Sequence, residues 1–188
     1  MNVSAPPPEP TVYDIAIQCT LGVLPSDGKI IATLAGVPNY TAGATYWIST
    51  GGGWQSNFKS YGIRTISWKG AINNAAGDTF YFGENDGGNR YWQIRKATID
   101  NRIRFETDNN TGVAQVTDNI VIDPTFDSHT FKVQVDNGIT KLYVDDVLLS
   151  SHATKPCPIN VVQTTYWYAL GAFILRMYNF YFVLGYII

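Results

Sequence analysis

Two carboxylates set two residues apart, Glu106 and Asp108 in Phe105-Glu106-Thr107-Asp108-Asn109-Asn110, are the nearest this chain comes to a hydrolytic pair. On an extended strand they share a face. Hydrolysis of a glycosidic bond needs two carboxyl groups about 5 to 10 Å apart, one as acid and one as nucleophile or base. The run passes straight into Asn109-Asn110, a turn signal, so a solvated strand end is the simpler reading of both residues. Nucleophilic catalysis needs a base beside the nucleophile, and the sequence holds only two histidines, His129 and His152. His129 alternates with Phe131 and reads as a partly buried structural residue, whereas His152 falls at a strand end and reads as solvated. No catalytic set emerges, and the expectation is of a protein that is not an enzyme.

Binding chemistry has better candidates. The loop Glu84-Asn85-Asp86-Gly87-Gly88-Asn89 offers carboxylates, amides and a pliable backbone, the ligand types of a hard cation, with Asp108 and Asp123 as outside contributors. The sequence calls for no cofactor; calcium is the one this loop could take, and an exposed acidic turn is the simpler reading. An aromatic ring flanked by amides and charges suits the apolar face of a pyranose. Trp54 with Gln55 and Asn57 forms one such set, and Tyr91-Trp92 beside Asn89 and Arg90 forms another. If Arg90 to Lys96 is a strand, Tyr91 and Trp92 point to opposite faces, and at most one can meet a ligand. Twelve Tyr, nine Phe and five Trp must mostly fill a core. The triple glycine Gly51-Gly52-Gly53 predicts an exposed loop before Trp54, which makes that tryptophan the stronger candidate.

The elements that must hold these residues are strands. Ser128 to Leu149, SHTFKVQVDNGITKLYVDDVLL, is the most informative stretch. A two-residue type I′ turn at Asn137-Gly138 pairs Asp136 with Ile139, Val133 with Leu142 and Phe131 with Val144, giving one dry face. The other face pairs Gln134 with Lys141 and Lys132 with Tyr143. Asp145-Asp146 then breaks the pattern before Val147-Leu148-Leu149 opens a third strand, so the segment is a β-meander. Further strands are expected over Tyr13 to Thr20, Lys29 to Leu34, Ala44 to Ser49, Tyr61 to Trp68, Thr79 to Phe82, Arg90 to Lys96, Asn101 to Glu106 and Val113 to Thr117, each bounded by Gly, Pro, Asn or Asp. No internal repeat is visible.

The chain has 188 residues, of which 45% are apolar. That length suits an extended Pro-rich arm over residues 1–10, with Pro6, Pro7 and Pro8 favouring polyproline II, and one antiparallel two-sheet sandwich over 11–188. The arm lacks the basic start and apolar core of a signal peptide. A net charge of −2 with scattered Lys and Arg argues against nucleic acid as a partner. Tyr166 to Ile188 is apolar and long enough to span a bilayer, but Arg176, Asn179, two glycines and many β-branched and aromatic residues favour strand. No membrane span is expected. Phe180 and Phe182 lie in a segment apolar on both faces, which needs cover from its own sandwich or from a neighbouring subunit. Cys19 and Cys157 leave open either a disulfide or two buried thiols.

The meander, with its "LYVDDVLLSS", resembles the central strands of concanavalin A-like and laminin-G-like jelly rolls, although Asp146 stands where a glycine is usual. Gly171 to Phe182, GAFILRMYNFYF, resembles the closing strand of the same superfamily and its phage and prophage versions. The resemblance implies an all-β jelly roll, a calcium site at the sandwich rim in some relatives, and sugar binding as a common task. Relatives that are glycosidases carry an E-x-D-x-x-E motif, which Glu106 and Asp108 do not complete. The leading expectation is a virion structural or adhesion protein of a tailed phage, assembled with other virion proteins or copies of itself through residues such as Pro6 to Pro8, Phe180 and Phe182, and able to present loops to host-surface glycans. A free extracellular or cell-surface lectin module is the alternative, and a glycosidase the third.

Overall fold

A computed structural model describes residues 13–18, 30–32, 47–49, 52–56, 59–72, 79–96, 102–121, 129–170 and 175–184. These form β1 (Tyr13–Gln18), β2 (Ile30–Ala32), β3 (Trp47–Ser49), β4 (Gly52–Ser56), β5 (Arg64–Ile72), β6 (Thr79–Asn85), β7 (Arg90–Lys96), β8 (Arg102–Asn109), β9 (Gln115–Val121), β10 (His129–Asp136), β11 (Ile139–Val144), β12 (Val147–His152), β13 (Thr164–Leu170) and β14 (Leu175–Leu184). No helix occurs among the described residues, so none is long and apolar enough to cross a membrane. The described parts of the apolar C-terminal stretch, in β13 and β14, are strand, as its β-branched and aromatic content predicts.

The strands build two antiparallel sheets of seven. Sheet A runs β1-β14-β5-β10-β11-β12, with β3 also on β14, and sheet B runs β2-β4-β13-β6-β7-β8-β9. In the meander, Phe131 pairs with Val144, Val133 with Leu142 and Asp136 with Ile139, the register that a two-residue turn demands. The turn itself differs from expectation. Only Gly138 has positive φ (76°), as in a type II turn, whereas type I′ needs it at both central residues. Both central residues are left-handed instead at Asp145 (49°) and Asp146 (62°), where no glycine stands. Hydrogen bonds hold them there: the Asp145 N–H donates to the Thr130 carbonyl, Asp145 Oδ1 accepts from the Thr130 N–H, and Lys132 Nζ reaches Asp146 Oδ1 at 2.7 Å.

Alternation gives each sheet one face to the core. Trp68 and Phe131 of sheet A stack at 5.1 Å between ring centroids, and Trp68 meets Phe82 of sheet B at 4.2 Å. Ile66, Val133, Val135, Ile94 and Phe105 close around them, all at 1% exposure or less. The triple glycine does not form a free loop: Gly52 and Gly53 begin β4, and Trp54 pairs with Trp167 and with Ala32. Trp167 pairs in turn with Phe82, so Trp54 occupies the cross-strand row that runs through the core residues Phe82, Ile94 and Phe105. Phe180 and Phe182 lie on a strand with neighbours on both edges, Phe182 opposite Ile66 and Ile15, so the edges of that strand are covered within its own sandwich, one of the two expectations for this segment. Pro6 to Pro8, Cys19, Asn57 and Asp123 lie outside the described residues.

Candidate functional site

Strand β7 divides its side chains between the two sides of sheet B. Trp92 and Ile94 enter the core, while Tyr91, Gln93 and Arg95 lie half-buried on the outer side. Strand β8 does the same, with Ile103 and Phe105 inward and Arg104, Glu106 and Asp108 outward, and the register sets Gln93 opposite Glu106, Tyr91 opposite Asp108 and Arg95 opposite Arg104. Tyr166 of β13 pairs with Gly83 of β6, which pairs with Gln93. One row therefore crosses five strands: Tyr166, Gly83, Gln93, Glu106 and the exposed Val116. Beyond Tyr166 the register continues to Gln55.

A hydrogen-bond relay runs along this row. The Tyr166 hydroxyl donates to Gln93 Oε1 at 2.8 Å, and Gln93 Nε2 donates to Glu106 Oε2 at 2.5 Å. Arg95 holds Glu106 Oε1 through Nε at 2.7 Å and Nη2 at 2.6 Å, with Arg104 Nη1 at 3.5 Å. The Gln93 amide is thereby fixed in one orientation, since its oxygen faces a donor and its nitrogen an acceptor. Between Tyr166 and Gln93 only glycine fits: a Cβ on Gly83 would stand 2.2 Å from the Trp92 carbonyl oxygen and 2.8 Å from Gln93 Cα. The row thus contains a stretch of bare backbone flanked by a phenol and an amide. Burial first, and then the negative charges of Glu106 and Asp108, raise the Tyr91 phenol above its ordinary value, against the pull of Arg95, so it stays a proton donor.

Glu106 and Asp108 share the outer face as their spacing predicts, but they do different work. Asp108 Oδ1 accepts from both the N–H and the hydroxyl of Thr111 at 2.8 Å, closing the turn that follows β8. Burial opposes its charge, yet these bonds and the N–H groups of Asn109 and Gly112 hold it below the usual carboxylate range. Asp108 is a turn residue, and Glu106 is the carboxylate of the row.

The calcium set is not assembled. Glu84 points into the core at 0% exposure, where its Oε2 accepts from Arg64 Nε at 2.7 Å and from Trp92 Nε1 at 2.6 Å. Trp92, itself fully buried, therefore cannot stack on a sugar. Asn85 Oδ1 caps Gly87, and Asp86 binds the Gly88 N–H and Arg90, bonds that keep its carboxyl below the usual range in spite of desolvation. No group of three or more His, Cys, Asp or Glu able to hold a metal ion occurs among the described residues. Around Glu84 the buried cluster continues: Arg64 Nη1 donates to the Gly62 carbonyl at 2.8 Å, and Nη2 lies 3.5 Å from Cys157 Sγ. Cys157 is a free thiol, pushed up to about 12 chiefly by burial. Burial works against the Arg64 charge, but Glu84 opposite it keeps the guanidinium above its ordinary value.

Neither histidine touches the outer row. His129 Nδ1 sits 2.6 Å from Asp145 Oδ2 and helps hold the second turn of the meander. His152 is not solvated: it is 1% exposed, with Nδ1 and Nε2 each 2.8 Å from the hydroxyls of Thr107 and Thr117 and its ring 4.8 Å from Phe105. It ties β12 of sheet A to β8 and β9 of sheet B, and burial lowers it to about 4, so it is neutral.

No protein-family model matches the chain, and no curated protein matches it in sequence. Solved structures do match in fold. The β-glucanase of Bacillus licheniformis superposes with a TM-score of 0.66 at 15% identity, over 92% of this chain and 98% of that one. SCLam, a non-specific endo-β-1,3(4)-glucanase from family GH16, gives 0.70 at 11% identity, over 98% and 95%. The carbohydrate recognition domain of Emp47p gives 0.64 at 12% identity, over 91% and 95%. The fold is the concanavalin A-like jelly roll, as the meander and closing strand suggested. The expectation of a non-enzyme is corrected by the same comparison. Several of these structures are glycoside hydrolases, so the missing E-x-D-x-x-E motif is no ground for excluding catalysis on this sheet.

Proposed function

We propose that this protein binds carbohydrate on the outer face of sheet B, with Tyr91, Gln93, Glu106 and Tyr166 as its contacts. The observation that carries this reading is the row of Tyr166, Gly83, Gln93 and Glu106 across adjacent strands. It combines an oriented amide, a carboxylate and two phenols around a glycine that carries no side chain, the mixture of apolar ring surface and directed hydrogen bonds that sugar hydroxyls require. Support comes from the fold neighbours, whose names include both glucanases and carbohydrate recognition domains. The tailed-phage setting, with this face turned to host-surface glycans, draws its support from the closing-strand resemblance, and mass spectrometry of purified virions carrying the protein would test it.

The test of binding is affinity electrophoresis of the whole chain through gels containing β-1,3- and β-1,4-glucans, galactans and mucin glycans. Retardation by at least one polymer, lost in Gln93→Ala and kept in Lys141→Gln on the opposite sheet, is the expected outcome. Equal mobility in every gel, or equal loss in both variants, defeats the proposal.

A further inference from the structure

The meander turn at Asn137-Gly138 carries a second kind of chemistry, a covalent one. An asparagine becomes an aspartate when the next backbone nitrogen attacks its side-chain carbonyl carbon, and the reaction needs that nitrogen free, the next residue slim and the pair open to water. Asn137 and Gly138 are both exposed, a Cβ on Gly138 would meet nothing within 4 Å, and Gly138 has φ of 76°. The Gly138 N–H meets no acceptor among the described residues, nor does the Asn137 side chain have a hydrogen bond.

The other asparagine-rich turns are built differently. In the loop after β6, the N–H of Asp86 donates to the Arg90 carbonyl, that of Gly87 to Asn85 Oδ1, and that of Arg90 to Asp86 Oδ1. After β8, the N–H of Asn110 donates to the Asn89 carbonyl and that of Thr111 to Asp108 Oδ1. In each of these the nitrogen that would attack is already held.

From this contrast we infer that Asn137 is a site of spontaneous modification, converting to aspartate and isoaspartate in the folded protein ahead of the asparagines in those other turns. Gly138 N forms a bond to Asn137 Cγ, the Cγ–Nδ2 bond breaks, and ammonia leaves with the proton from Gly138 N. Water then opens the cyclic imide at Cγ to give aspartate, or at the main-chain carbonyl to give isoaspartate. Either product takes the net charge one step more negative than −2. Isoaspartate also inserts an extra backbone carbon into a two-residue turn whose length fixes the pairing from Asp136–Ile139 to Phe131–Val144. The isoaspartyl form should therefore melt below the fresh protein, while Asn137→Asp, with the charge but not the extra carbon, should melt close to it.

The experiment ages the intact chain in mildly alkaline buffer and follows each asparagine peptide by mass spectrometry, with a urea-unfolded sample alongside. In the folded chain the Asn137 peptide is expected to gain the amide-to-acid mass several-fold faster than peptides holding Asn85, Asn89, Asn109 or Asn110, faster as pH rises, and with β-linked product detected by isoaspartyl methylation. Asn137→Ser should abolish the gain. If Asn137 stays intact in the fold while the unfolded sample reacts, or if any of those other four asparagines reacts first, the inference is wrong.

Discussion

Two arginine–glutamate clusters meet strand β7 from opposite sides of sheet B, the inner one reaching across to Arg64 of sheet A, and they share parts without sharing a purpose. Adjacent residues of β7 serve both: Trp92 donates inward to Glu84, and Gln93 donates outward to Glu106. Inside, Arg64 and Glu84 are fully buried and joined at 2.7 Å. Outside, the Arg95 and Arg104 side chains keep 30% and 25% of their exposure. A buried ion pair is costly to desolvate, and removing one partner strands the other charge. An ion pair whose cation reaches solvent is partly screened, so losing that cation costs less, although the Glu106 side chain itself is only 5% exposed. The inner cluster fixes where β7 lies. The outer one meets solvent with the geometry so fixed.

The largest way to break this contrast is Arg64→Met, which leaves the Glu84 carboxylate buried alone. A loss of about 3–5 kcal/mol is expected, seen as a fall in melting temperature of roughly 10 °C, against a smaller loss for Arg95→Met, which leaves Glu106 its bonds to Gln93 and Arg104. Similar losses from the two would erase the distinction.

Acid sharpens it from another inward-facing polar group, His152. Its folded value of about 4 lies below the ordinary 6.5, so the unfolded chain binds the proton more readily. The stability held by neutral His152 is complete above about pH 6.5 and drains away as pH falls toward 4, by about 3 kcal/mol in all. Urea titrations across that range, with His152→Gln as the flat control, measure it. The outer row should respond least in stability and most in binding. Gln93→Ala is expected to weaken a retained glycan by about three- to tenfold, from one or two lost hydrogen bonds, and to move the urea midpoint little. If glucan-derived reducing ends appear with the wild type, Glu106→Gln should abolish them.

How much of this could be read from the sequence depends on whether the information was local. The meander register was legible because alternation and a two-residue loop act within a few residues of each other. The turn types were not, because Asp145 and Asp146 are held left-handed by Thr130, His129 and Lys132, which lie 14 to 16 positions away along the chain. Asp146→Gly should release that strain, and a gain of about 0.5–1 kcal/mol in a chemical melt is expected. The triple glycine was misread because Gly52 and Gly53 look like a loop until β13 pairs with them. Glu84 was misread as part of an acidic loop, although its even spacing from Phe82 placed it on the core face. Glu106 was noticed for a carboxylate partner, Asp108, that the turn claims. The partners it has, Gln93 and Arg95, come from the next strand, and Tyr166, which completes the row, lies far along the chain, where no local pattern connects them.

Topology leaves one more mark. Each sheet is closed from within by a strand that comes late in the sequence: β13 sits between β4 and β6, and β14 between β5 and the pair β1 and β3. While the chain is being synthesised, β6 to β9 and β10 to β12 can zip up from neighbouring segments and β2 can pair with β4, but β1 and β3 must wait for β14, and the second edge of β4 for β13, partners that the ribosome has not yet made. Such non-local closure makes folding slow and the waiting strands prone to stick to one another. Chains stalled before Thr164 are therefore expected to show protease resistance in the two meanders and none in β1 and β3.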